Sequence, residues 1–209
     1  MEHCQAPPGW GNDPLSKFLQ DTTENIYATF HNLKQLYNPL QHIHQVFTKV
    51  AENMNRTPHL LAFFFLFRSH SAYLAGVRLA LSGQIPEAYM VLRGSLECAL
   101  YGLYVARKPS VGEVWLRRDE DDEAKKKVKQ EFKVSNLFEV LGVEDRKLAN
   151  IARKFYEITI DYGGHPNQQA FTSVMKTESD ESKITFKVPH IIGNEPALHL
   201  CLKPRFRFN

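Results

Sequence analysis

Apolar residues recur at helical spacing along most of this chain. Leu15, Phe18, Leu19, Ile26, Phe30, Leu33 and Leu36 mark a first helix. It opens on Asn12-Asp13-Pro14, a capping side chain followed by a proline at the first helical position. Asn38-Pro39 is expected to break or kink that helix. Leu40, Ile43, Val46, Phe47 and Val50 then resume steps of three and four. Thr57-Pro58 predicts the start of another helix running to about Ser82, where Gly83 closes it. Ile85-Pro86 opens the next, which continues to about Ala106. The link between these two helices is so short that they must form an antiparallel αα-hairpin. Both are apolar on most sides, which predicts that they form the centre of the fold.

The periodicity then changes character. Residues 117–133 carry acids from Asp119 to Glu123 followed by Lys125, Lys126, Lys127 and Lys129. Asp121, Asp122 and Glu123 each precede a lysine by four residues, the order that supports a solvated helix. Leu148, Ile151, Phe155, Ile158 and Tyr162 form an amphipathic stripe ending at Gly163-Gly164. Residues 183–188 alternate polar and apolar, a strand signal, and 171–176 is expected to pair with them across a polar turn at 178–182. A last short helix begins near Glu195. The expected fold is therefore an all-α, antiparallel helical bundle with a small C-terminal β-hairpin. Its expected boundaries are a flexible tail at 1–13, the bundle at 14–170, the hairpin at 171–192 and a helix fragment, expected to be truncated, at 193–209.

Composition narrows the classes. The 209 residues are 43% hydrophobic and 23% charged, as in a globular protein, and the formal charge of +3 is too small to argue nucleic-acid binding by itself. Cys4, Cys98 and Cys201 are scattered without a CxxC pair, which excludes a disulfide scaffold and fits a reducing, cytoplasmic setting. The opening residues carry no leader pattern. The most membrane-like stretch, Leu60 to Leu81, loses its uninterrupted apolar run at Phe67, before Arg68, His70 and Arg78. A core helix is expected there and no membrane partner. Phosphate-loop, dinucleotide-turn, nucleophile-elbow and zinc-helix motifs are absent. The histidines form no ligand pair, so neither a metal nor another cofactor is expected.

Ionisable groups within apolar helices are the candidate chemistry. Arg93 and Glu97 are four apart and share a helical face among Val91, Leu92, Leu96 and Leu100. They predict either a mutually satisfied pair or a polar site between helices. Arg68, Ser71, Arg78 and Ser82 fall within about 80° of one another at about 100° per residue, a polar stripe that either faces solvent or lines a basic groove with Arg93. Asp161 sits near a helix end, where the dipole disfavours an anion, with Glu157 four residues before it. Arg93, Arg153 or His165 would compensate it. His165 follows two glycines and is suited to general acid or base work near neutral pH.

Arg-Gly-Ser-Leu-Glu at 93–97 within a helical hairpin, and Asp-Tyr-Gly-Gly-His-Pro-Asn at 161–167 ending a later helix, resemble a set of uncharacterised bacterial helical proteins that are themselves similar to the HEPN superfamily. The resemblance covers about residues 59–167. It implies a helical bundle, often dimeric through its helices, and in many members a metal-independent ribonuclease of stress or defence systems. Catalytic HEPN proteins carry an arginine four to six residues before the histidine. Here the nearest arginine before His165 is Arg153, so Arg93 from another helix would have to serve. The resemblance thus implies His165, Arg93, Glu97 and Asp161 as catalytic groups. It implies Arg68, Arg78, Tyr162 and Asn167 as substrate-binding groups, and RNA and a second copy of the chain as partners. The alternative it also implies is a non-catalytic helical module for dimerisation or protein interaction.

Overall fold

The computed structural model describes residues 6–53, 60–164, 168–180 and 183–203. The chain is an all-α bundle carrying a two-stranded hairpin. Its elements are α1 (Pro14–Asn32), α2 (Lys34–Asn53), α3 (Leu60–Leu81), α4 (Ile85–Arg107), α5 (Ser110–Leu116), α6 (Asp122–Glu131), α7 (Val134–Glu144) and α8 (Arg146–Thr159). A π-helical turn (Ile160–Gly164), α9 (Gln168–Thr172), β1 (Lys176–Asp180), β2 (Lys183–Lys187) and α10 (Pro196–Leu202) complete it.

Aspartates start three of the helices. Asp13 accepts from the backbone N–H of Leu15 at 2.9 Å and of Ser16 at 3.0 Å. Asp145 accepts from Leu148 N at 2.9 Å, and Asp121 from Ala124 N at 2.7 Å. Asp121 is thus a cap rather than a partner for Lys125, whose ammonium pairs instead with Asp122 three residues back. The charged segment is a solvated helix, as its pattern predicts.

The α3–α4 hairpin is the spine. Gly83, at φ +83°, closes α3: its N–H bonds Ala80 O at 3.1 Å and that of Gln84 bonds Leu79 O at 3.0 Å, a Schellman ending. Midway along the pair, Ser69 Oγ donates to Ser95 O and Ser95 Oγ donates to Ser69 O, each at 2.8 Å, so two buried hydroxyls clamp the helices together. The spine divides two cores. One packs the C-terminal half of α4 with Val111, Val128, Leu137, Phe138 and Ala152. The other packs the N-terminal half with Leu33, Val174, Ile192, Leu198 and Leu202.

Three expectations need correction. The break falls at Leu33 (φ −122°, ψ 36°), and Pro39 lies inside α2. Leu33 is buried and fixes the corner, while Pro39 falls in the second turn of α2, where the helix continues without the bond a backbone N–H there would make to the Gln35 carbonyl. The first strand is Lys176–Asp180, not 171–176, with Thr177 opposite Phe186 and Ser179 opposite Ile184. Val174 is drawn into the core instead, and Glu178, Ser179 and Asp180, expected in the turn, belong to the strand, while 181–182 lie outside the described residues. Finally, α3 is buried on one side only. Its buried residues Ala62, Phe65, Ser69, Tyr73, Gly76 and Ala80 occupy an arc of about 80° facing α4, and Leu81 at the helix end is buried beyond that arc.

Candidate functional site

On α4, Arg93 Nε donates to Glu97 Oε1 at 2.9 Å. Tyr156 of α8 donates its hydroxyl to the same oxygen at 3.1 Å, and the Arg93 guanidinium lies 5.5 Å from the Tyr156 ring centroid. The hydrogen bond to Glu97 raises the Arg93 pKa further above its ordinary value. Burial, then the Glu97 charge, pushes the Tyr156 phenol up. The two charged side chains are 28% and 34% exposed. The set is therefore a closed, half-exposed latch between α4 and α8. An ion pair this open contributes only about 0.2–1 kcal/mol.

Sequence reasoning missed Tyr156 because it lies off the aliphatic stripe of α8. The residues of α8 that are most buried are Ala149, Ala152 and Thr159, one position along from the stripe. They let the helix approach closely, and Tyr156 continues their line at steps of three and four. That run of small residues was the available signal.

The π-turn widens the end of α8 where the backbone meets α4. A Cβ on Gly163 would stand 2.7 Å from Pro86 O and from Tyr89 Cβ, so only glycine allows this approach. Tyr162 lies against Tyr89 with ring centroids 5.8 Å apart. Asp161 is exposed and makes no ion pair among the described residues. Arg153 sits over the Phe138 ring at 5.0 Å. Arg68 and Arg78 are exposed on α3. Of the eight candidate residues, Arg93 and Glu97 are thus brought into contact with each other. The π-turn with Asp161 meets α4 at Pro86 to Met90, about a turn before Arg93. His165 and Asn167 lie outside the described residues.

The larger feature is the free side of α3. Leu60, Phe64, Phe67 and Leu74 are 60%, 56%, 60% and 44% exposed. They lie within an arc of about 80°, opposite the face that packs on α4. Ser71 and Arg78 fall in the same arc, so that part of the polar stripe seen in the sequence lies in the distal half of a solvent-facing apolar surface, whereas Ser82, its last member, is buried. Four large side chains, each leaving about half of its 150–250 Å² in water, expose about 400 Å² of apolar surface. That reaches the range of the largest patch on a typical monomer, where function concentrates. Among the described residues, α3 is also the helix long and apolar enough to cross a membrane by length and composition.

A pair of histidines ties α2 to the flank of α3. His44 Nδ1 and His70 Nε2 are 2.8 Å apart, and Phe47 stacks on His70 with centroids 4.7 Å apart and planes 7° from parallel. One ring donates and the other accepts, so at least one is neutral. Burial, then the His44 charge, holds His70 below its ordinary 6.5. A histidine depressed in the folded state binds fewer protons there than in the unfolded chain. The contact is therefore at full strength above about pH 6.5 and weakens as the pH falls below it. Amide protection in the Leu40–Phe47 part of α2, corrected for intrinsic exchange, is expected to fall several-fold from pH 7.5 to pH 5. His70→Gln should flatten that dependence. Equal pH dependence in both proteins would contradict it.

No protein-family model matches the sequence, and neither a curated protein nor a solved structure matches it. The fold defines the class, an all-α bundle with an appended hairpin.

Proposed function

We propose that this chain is a non-catalytic, cytoplasmic dimerisation module that pairs with a second copy of itself through the free face of α3. The observation that carries this is the apolar arc of Leu60, Phe64, Phe67 and Leu74 directly opposite the buried face of the same helix. The arc suits a copy of itself. Bulky residues fill its first half, while small Ser71 and Ala75 interrupt its second half. In an antiparallel α3–α3 crossing centred near residues 69 and 70, Phe64 meets Ala75 and Phe67 meets Ser71, bulk into hollow on both sides of a twofold axis. About 400 Å² of apolar surface is half of the ~800 Å² per partner of a standard interface, the apolar share such interfaces carry. A membrane-spanning role fits less well, because Arg68 flanks the arc at mid-helix.

The HEPN resemblance supports the same reading, since those bundles often dimerise through helices. RNA cleavage, the other function it implies, would need Arg93 to act on a phosphate. Its guanidinium is engaged by Glu97 and stacked against Tyr156, which favours the module. The Cys98 thiol is free and burial pushes its pKa up, which suits a packing residue in a reducing compartment better than a nucleophile.

Ser71→Cys tests the crossing. A cysteine near the twofold axis is expected to form an intermolecular disulfide within minutes of mild oxidation, giving a band of twice the chain mass on a non-reducing gel. Glu139→Cys, exposed on α7, should give little. Cross-linking of both variants alike, or of neither, would sink the proposed pairing.

A further inference from the structure

Beneath α10 lies a cavity of about 290 Å³ between α2, α3, α4, α8 and α10. Leu40, Phe47, Leu92, Leu96 and Phe155 contribute hydrocarbon to its wall. Protein interiors pack at crystal density, with voids larger than a water few in number. A space of this size stands at the lower end of ligand pockets, about 300–1,000 Å³.

The chemistry of the wall restricts the guest. The Ser69 and Ser95 hydroxyls are spent on each other's carbonyls, and the Tyr73 hydroxyl donates to Leu40 O at 2.7 Å. These polar groups ask nothing of a ligand, so the body of the guest must be hydrocarbon. Lys203 is the charged residue at the rim. Its ammonium makes no ion pair among the described residues, and it marks where a negative head group would sit. α10, which supplies that rim, is anchored by Leu198 and Leu202, both almost wholly buried.

We propose that this cavity binds the tail of an unbranched, fatty-acid-like carboxylate, with Lys203 pairing with the head group. At about 30 Å³ per methylene-sized group, close to a water's share of its liquid, the cavity takes a tail of about ten carbons. The inference rests on the cavity and not on the α3 face, so either can fail without the other.

The test is calorimetric titration of the full chain with hexanoate, octanoate, decanoate and neutral decanol. One decanoate per chain is expected. Affinity should rise about fourfold per added methylene, the value of a buried methylene expressed as a ratio. Lys203→Met should weaken decanoate and leave decanol unchanged. Leu96→Trp should abolish binding by filling the space, with helical circular dichroism reporting whether it folds. Ala99→Leu, a milder filling, should shorten the longest tail that still gains affinity. Phe67→Ser, on the free face of α3, should bind like the parent. The proposal is overturned if decanoate does not saturate, if binding survives both filling variants, or if it is lost in Phe67→Ser. It is equally overturned if Lys203→Met weakens decanoate and decanol alike or neither.

Discussion

Gly83→Val is expected to cost about 4 kcal/mol or more and to collapse the cooperative unfolding transition toward low denaturant. Gly83 has φ +83°, where a β-branched residue carries a penalty of roughly 1–2 kcal/mol. The space is also taken. A Cβ would stand 2.2 Å from Ile192 O and 2.7 Å from Asn25 Nδ2. Those atoms belong to a three-way tie: Ile192 N donates to Gly83 O at 2.9 Å, and Asn25 Nδ2 donates to Ser82 O at 3.0 Å and to Ile192 O at 3.1 Å. Each bond broken costs about 1 kcal/mol, more where a group is left buried and unpaired. Losing the tie releases Ile192 and with it the α10 segment from the second core. Domains of this kind have only about 5–15 kcal/mol in total. Gly94→Ala is the contrast: a Cβ there meets nothing within 4 Å, so the helix should gain a few tenths of a kcal/mol. Urea unfolding of the two variants decides it. A Gly83→Val protein within 1 kcal/mol of its parent would mean that the hairpin end does not hold the C-terminal segment.

The paired substitution Phe64→Asp with Phe67→Asp is expected to abolish self-association while leaving the bundle folded. Both side chains point away from the α4 face and are more than half exposed, so neither supports the core. In the proposed pairing each becomes buried twice, once per copy. Two carboxylates pressed into an apolar contact, opposite Ala75 and Ser71 of the other copy, each lack a partner, at several kcal/mol apiece. Even one such penalty of about 3 kcal/mol weakens association by more than a hundredfold. Unchanged helical circular dichroism and an unchanged unfolding midpoint at low concentration separate this outcome from misfolding.

Much of this fold was legible in the chain. Asp13-Pro14 starts α1, Gly83 ends α3, and the stripe from Leu148 to Tyr162 is α8 running into its π-turn, each as local chemistry dictates. What the sequence hid was set by tertiary packing. Pro39 should interrupt a helix, but the corner went to Leu33 because that side chain has a core to enter. The polar run at 176–180 became a strand once Val174 was taken inward. Periodicity speaks only weakly on a helix that is apolar on most sides. The polar stripe at Ser71 and Arg78 marks the side of α3 that carries Phe64 and Phe67, but the first two turns, apolar throughout, contain no spacing of their own that separates Phe65, which faces α4, from those two, which face water.

The candidate site divides along the same line. The Arg93–Glu97 contact follows from spacing on one helix, and contacts between helices do not. Tyr156 completes the pair from a neighbouring helix, and the line of small residues that brings it there carries no hydrophobic signal. The polar stripe of α3 points to a solvent-facing side, but the extent of the exposed arc is hidden, because composition reports that a helix is apolar without reporting how many of its sides are covered.

Sedimentation equilibrium of the unmodified chain at micromolar concentration tests the central claim most directly. A particle of twice the 24.1 kDa chain mass is expected, dissociating on dilution, and of single mass in the Phe64→Asp, Phe67→Asp protein. A single-mass particle for both proteins at every concentration would contradict it.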